Sequence, residues 1–318
     1  MIDRRQVCFN VTTNAPAAWP VWNISGWLTV PDVLRRDELQ VLVHGAGTDH
    51  RYWDWPLEPH RYSYVEWASE RGIATLNIDR IGSGYSSRPP GADVTVAAQA
   101  DALRQLIGAI RAGHLDAPAF PRVVLVGHSM GSVICGATAA THGGSDAVVL
   151  TGYLPVDGTV EMGDELFDYA FIPALEEMPQ LRGLVDADYL VPRGDLGVGE
   201  LRYWSPQTDP EVMAFEALAK GPATRVELRD AAVAGPLIRT LTAPVLALVG
   251  QHDALMIDIG LGEADTHDTV GRVAPGVGTN FEFGVISDAG HMLNLQRNAR
   301  ESFTVIERWL GDRCGAAS

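Results

Sequence analysis

The stretch Gly127-His128-Ser129-Met130-Gly131 carries the most chemical content in this sequence. It directly follows the apolar run Val123-Val124-Leu125-Val126 and opens a stretch with helical periodicity. A serine set between glycines on a tight strand-to-helix turn is lifted clear of the backbone, and the helix that follows aims its positive end at the hydroxyl. A serine hydroxyl is a weak nucleophile at neutral pH, so the turn requires a histidine to take its proton and a carboxylate to orient that histidine. Both lie downstream. His291 follows the apolar pattern Phe281 to Ile286 through Ser287-Asp288-Ala289-Gly290, and Asp253 follows Val245 to Val249 through Gly250-Gln251-His252. Ser129, His291 and Asp253 are therefore the expected nucleophile, base and acid. Singly, a surface histidine or a turn aspartate is the plainer reading of each partner. Together they stand at the carboxyl ends of three strands, where open parallel sheets build their sites. Asp157, beyond the strand that runs into Tyr153-Leu154-Pro155, is the rival acid, with Asp258 and Asp288 behind it.

Acyl transfer at such a serine needs two donors for the oxyanion of its tetrahedral intermediate. The N–H of Met130, next after the serine, is one candidate. Ala46, in the small-residue turn His44-Gly45-Ala46-Gly47 after the strand Leu39 to Val43, is the other. Gly45, Tyr52, Trp53 and Trp204 are expected to touch substrate in an apolar pocket. The same rings would serve equally well as core. His128, His252 and the remaining histidines lack metal-ligand spacing, so no metal is expected.

These residues need a scaffold, and the pattern supplies one. Val7 to Thr12 and Trp22 to Thr29 read as an opening strand pair, followed by central strands at Leu39 to Val43, Ala74 to Ile78, Val123 to Val126, Ala147 to Leu150, Val245 to Val249 and Phe281 to Ile286. Helical patterns at Tyr64 to Arg71, Val94 to Ala112, Ser132 to His142 and Ala299 to Leu310 fall between or after them. The alternation predicts an α/β fold, a mostly parallel central sheet flanked by helices. One connection, from about Pro155 to Thr242, is far too long for a loop. With helical patterns at Asp164 to Met178 and Asp209 to Lys220 and with Phe167, Phe171, Tyr189, Tyr203, Trp204 and Phe215, it is expected to be a helical cap between the sixth and seventh strands. The expected division is a core of residues 1–154 and 243–318 with a cap at 155–242.

Composition sets the outer limits. A chain of 318 residues with 46% hydrophobic residues can bury a large core. A net charge of −16 leaves no basic surface for nucleic acid or an anionic membrane. No signal peptide or membrane-length apolar run stands out, and Cys8, Cys135 and Cys314 are too scattered for a disulfide framework, so a cytoplasmic location is expected. A small-molecule substrate is the expected partner, and the oligomeric state is open.

With elbow, glycine-rich turn, acid and histidine in this order, the sequence resembles the α/β-hydrolase superfamily, in its cap-bearing branch of esterase- and lactonase-like serine hydrolases. Asp79-Arg80-Ile81-Gly82-Ser83-Gly84-Tyr85-Ser86 is similar to the D-x-x-G-x-G-x-S turn of that branch. It is not a dinucleotide loop, since Ser87 stands where the third glycine belongs. The resemblance implies no metal and no organic cofactor. The fold it implies hosts esterases, lactonases, thioesterases, amidases and carbon-carbon bond hydrolases, whereas dehalogenases and most epoxide hydrolases of the branch carry aspartate at the place of Ser129. An ester or lactone of apolar character, cleaved through an acyl-enzyme, is the expected substrate. A lyase or acyl transferase on the same fold, or a slow-turnover ligand sensor, remains open. The stretch from Asp253 to His291, rich in glycine and acidic residues around Gly260 to Asp268, is longer than the family usually shows.

Overall fold

The computed structural model describes residues 2–13, 21–115, 118–155, 170–194, 199, 201–257 and 277–314. Eight strands form one sheet: β1 (Ile2–Thr12), β2 (Val21–Pro31), β3 (Glu38–Val43), β4 (Ala74–Ile78), β5 (Arg122–His128), β6 (Ala147–Thr151), β10 (Val245–Gly250) and β11 (Phe281–Ile286). Their order is β1-β2-β4-β3-β5-β6-β10-β11. The β1–β2 and β2–β4 pairs are antiparallel, and every pair from β4 onward is parallel. All eight strands expected from the sequence are present.

The central strands read as continuous apolar runs because both sheet faces are covered. Successive side chains alternate between two cores. Leu39, Val41 and Val43 of β3 and Val123 and Leu125 of β5 join one, and Leu42, Val124 and Val126 join the other. The first core is closed by α2 (Val96–Arg111) and α3 (Met130–His142), through residues such as Leu106, Ile107 and Ile134. The second is closed by α1 (Tyr64–Ser69) and the C-terminal α6 (Ala299–Cys314), through Trp67, Phe303 and Ile306. Parallel neighbours demand crossovers, and α1, α2 and α3 lie on those from β3 to β4, β4 to β5 and β5 to β6, while α6 follows the last strand.

The segment between β6 and β10 departs from the purely helical expectation. Its described residues include a small antiparallel sheet of β7 (Phe171–Pro173), β8 (Tyr189–Pro192) and β9 (Ala223–Thr224). Its two longer helices are α4 (Pro210–Ala219), as expected from the sequence, and α5 (Arg225–Ala232). The expected helix from Asp164 to Met178 lies partly outside the described residues, and its described part is β7 followed by a single turn, Ala174–Glu177. Pro173, locked in φ and lacking an N–H, separates the two. Among the described residues, no helix is long and apolar enough to cross a membrane.

Candidate active site

Ser129 follows β5 and caps α3 with φ 51° and ψ −117°, one of three described non-glycine residues with positive φ. Such a conformation is costly and persists only where the surroundings impose it. They do so here by close approach. A Cβ on Gly127 would lie 2.5 Å from the backbone of Gly131, and one on Gly131 would lie 2.1 Å from Val43 O. The glycines are thus fixed by packing of the turn against β3. Ser129 N–H donates to Thr151 O at 2.8 Å, tying the turn to β6. Among the described residues, the hydroxyl makes no hydrogen bond to protein, and Ser129 lines a cavity.

His291 and Asp253 leave adjacent, hydrogen-bonded strands, β11 and β10. Gln251 N–H donates to Ile286 O at 2.9 Å and His252 N–H to Ala289 O at 2.7 Å, so the two loops continue the pairing of the strands. Both side chains are buried, and His291 Nδ1 lies 3.0 Å from each Asp253 carboxylate oxygen. Oδ1 of Asp253 also accepts the N–H groups of Leu255 (3.1 Å) and Met256 (3.2 Å), which fix the carboxylate in place. The carboxylate at Nδ1 is placed to accept an N–H from that nitrogen, the tautomer in which Nε2 is the acceptor. His291 lines the same cavity as Ser129. The structure therefore pairs His291 directly with Asp253 and brings Ser129 to the same cavity wall. Asp288 sits in the preceding turn with φ 50° and does not touch the imidazole. Asp157 and Asp258 lie outside the described residues, as does the stretch from Gly260 to Asp268.

The glycine-rich turn after β3 is oriented by its carbonyl. Gly45 O faces three donors: His44 Nδ1 at 2.8 Å, Thr48 Oγ1 at 3.1 Å and an Arg80 Nη at 3.4 Å. In a trans peptide the carbonyl and the following N–H point in opposite directions. With Gly45 O turned into the protein, the N–H of Ala46 points the other way, and Ala46 and Met130 both line the cavity. Among the described residues, neither N–H has a protein acceptor. His44 Nε2 accepts the Arg80 N–H at 3.1 Å and meets Ser83 Oγ at 3.0 Å, which accounts for a neutral ring. Burial, with Arg80 nearby, pushes its pKa down from 6.5 to about 3.

Two features of the surroundings were not legible in local pattern. Arg80, in the turn after β4, forms an ion pair with Glu227 of α5 at 2.6 Å, both side chains being 1% exposed. Glu227 also accepts from Gln99 and closes a capping box with Thr224. This pair connects the β6–β10 segment to the turn that carries Ala46. His128 stacks on Tyr52 at 4.1 Å and lies 4.9 Å from the His291 ring. Thr151 Oγ1 donates to Gly127 O at 3.0 Å, so it accepts from His128 Nδ1 at 3.1 Å, and burial holds the His128 pKa well below its usual value. A cluster of Asp49, His50 and Asp79 gathers ligand-type atoms within 4.8 Å. Its oxygens are engaged, Asp79 by His50 N, His50 Nδ1 and Tyr85 N, and Asp49 by Arg51. The cluster joins the turn after β3 to the turn after β4.

Of the expected substrate contacts, Gly45 lines the cavity and the aromatic three do not. Tyr52 and Trp53 are fully buried, edge-to-face with each other, and belong to the core beneath the site. Trp204 stacks on His252, next to Asp253, at 3.7 Å. Large flat rings gain most by complete burial, and here the core claimed them. The walls are instead made by smaller apolar residues, including Val133, Phe171, Pro192, Leu228 and Met292, around about 1030 Å³ of space partly open to solvent.

A model of the alpha/beta hydrolase family matches residues 40–301. No curated protein sequence matches the chain. Among solved structures, a highly thermostable carboxyl esterase from Bacillus coagulans superposes with a TM-score of 0.64 at 18% identity, over 96% of this chain and 98% of that one. A carboxylesterase of Nitrososphaera gargenis gives 0.60 at 16% identity, over 96% and 98%. The 2-hydroxy-6-oxo-6-phenylhexa-2,4-dienoate hydrolase of a Rhodococcus strain gives 0.59 at 16%, over 99% and 100%. The strand order, the strained serine turn and the family match over residues 40–301 agree: the chain belongs to the alpha/beta hydrolase family.

Proposed function

We propose that this protein is a serine hydrolase that cleaves a carboxylic ester or lactone with a largely apolar body, through an acyl-enzyme on Ser129. The observation that carries this reading is the convergence on one apolar cavity of an elbow serine with an open hydroxyl and a histidine whose Nδ1 is held by a buried aspartate. In the proposed sequence, Ser129 Oγ attacks the substrate carbonyl carbon and its proton passes to His291 Nε2. The N–H groups of Ala46 and Met130 donate to the oxyanion. His291 then protonates the departing alcohol oxygen as the C–O bond breaks. Water next attacks the acyl-enzyme, giving its proton to His291, which returns it to Ser129 as the acid leaves. Asp253 keeps the imidazole in the tautomer that can accept. Residues 155–242 act as the cap, a reading supported by Phe171, Pro192, Leu228 and Ala231, which form part of the cavity wall.

The test is a screen of esters of varied acyl length, lactones and thioesters, beside Ser129→Ala. That substitution should lower turnover by roughly four to six orders of magnitude. Undiminished activity in the variant refutes the role of Ser129. Release of the acyl group to an acceptor other than labelled water would instead identify a transferase.

A further inference from the structure

The described wall of the cavity carries one permanent charge that the acyl-transfer chemistry does not use. Arg202 lines the cavity together with Ser129 and His291, and among the described lining residues it is the only side chain charged at all working pH values. The residue is firmly placed, since Arg202 O accepts the N–H of Met292, next to His291, at 2.9 Å. Its guanidinium offers five N–H donors in a rigid fork. Among the described residues it meets two partners: Glu216 of α4, with an Nη 2.8 Å from Oε1, and the sulfur of Met292 at 3.5 Å. A thioether is a weak acceptor, so one carboxylate is the only strong partner of a side chain that is 12% accessible. Arginine forks pair bidentately with planar anions, and a second carboxylate can be accommodated on donors the first does not use.

We propose that Arg202 receives a carboxylate borne by the substrate, so that the preferred substrates are half-esters or lactone acids with an apolar chain between the scissile carbonyl and a terminal anion. The proposal rests on the hydrolase reading and narrows its substrate class. The wall chemistry fits such a molecule: apolar side chains flank the path, and the charge stands at one place on the wall rather than around it. Glu216 holds one side of the fork, and its negative charge opposes that of the incoming anion on the other donors.

The experiment compares p-nitrophenyl hydrogen suberate with p-nitrophenyl octanoate, which share their chain length and differ in the terminal carboxylate; the hydrogen adipate and hexanoate pair covers a shorter reach. Arg202→Met should lower kcat/KM for an anionic ester by about 10- to 100-fold, mainly through KM, and change the neutral esters by less than about 3-fold. Because that variant leaves Glu216 without its partner, Arg202→Met/Glu216→Gln is run beside it and should show the same selective loss. Glu216→Gln alone removes the opposing charge and should raise kcat/KM for an anionic ester several-fold. Equal loss on anionic and neutral esters, or no loss on either, overturns the proposal. Calorimetric titration of octanoate and octanamide reads the same contact without turnover. Arg202→Met should weaken octanoate at least about tenfold and octanamide less than about twofold. If no ester is cleaved by the wild-type protein, the hydrolase reading fails, and the titration still decides the role of the arginine.

Discussion

The ion pair between Arg80 and Glu227 gives a demanding test of how the site is held. Both side chains are 1% exposed and their closest atoms are 2.6 Å apart, so neither charge has water to fall back on. Glu227→Gln keeps the shape and the acceptor that caps Thr224, and replaces the charged oxygen that accepts from Arg80 and Gln99 with an amide NH2 that cannot accept. Removing one partner of a buried pair costs about 3–5 kcal/mol, because the other charge is left uncompensated. For a chain of this length, with about 2 °C of melting temperature per kcal/mol, the expected fall is roughly 6–10 °C. Arg80→Met/Glu227→Gln removes both charges, and urea unfolding should show it to be less destabilised than the sum of the single variants by about 2 kcal/mol or more. Activity should drop further than stability alone explains wherever Arg80 is changed, since Arg80 is one of three donors that keep Gly45 O turned away from the cavity. A Glu227→Gln protein within about 1 kcal/mol of wild type, or strictly additive variants, would refute the reasoning.

Asp253→Asn should lower kcat by roughly four orders of magnitude through the wrong imidazole tautomer, while Asp288→Asn should stay near wild type; comparable losses in the two would reassign the acid. Gly152 has φ 59°, and a Cβ there would sit 2.8 Å from His128 Cε1 and 3.0 Å from His291 Cε1. Gly152→Ala should therefore displace the imidazoles and reduce kcat by about tenfold or more, read beside a melting curve that confirms folding. His44 has a folded pKa of about 3 against 6.5 when free, so the unfolded chain takes up a proton that the fold refuses. Its contribution to stability is complete above pH 6.5 and is lost as pH falls toward 3, by up to about 1.4 kcal/mol per unit. His128, depressed for the same reason, adds in the same direction. Urea midpoints between pH 7.5 and 5 should fall with acid and fall less steeply in His44→Gln; equal slopes would count against the assignment.

Much of the scaffold was legible because its signals are local. Runs such as Val123 to Val126 and Val245 to Val249, each followed by glycine and then by a chemically active residue, locate strand and site together. The three segments of the small β7–β8–β9 sheet were not legible, since Ala223–Thr224 is two residues long and Phe171–Pro173 fits a helical pattern until Pro173 interrupts it. Tyr52 and Trp53 show the limit of composition: their position after the Ala46 turn suggested a pocket wall, and packing density under the sheet edge decided otherwise. The roles of Arg80, Glu227 and Arg202 depend on contacts between residues far apart in sequence, which no periodicity encodes.

The acid and the histidine share a bracket made of two neighbouring strands and the hydrogen bonds that continue beyond them. The residues that shape much of the cavity come from a separate stretch of chain, between the sixth strand and the strand that bears the acid. Under the proposed function, evolution can therefore reshape what enters without disturbing Asp253 and His291 beneath. Exchange of wall residues such as Phe171 or Leu228 offers the same freedom to the engineer, who can retarget the protein one side chain at a time.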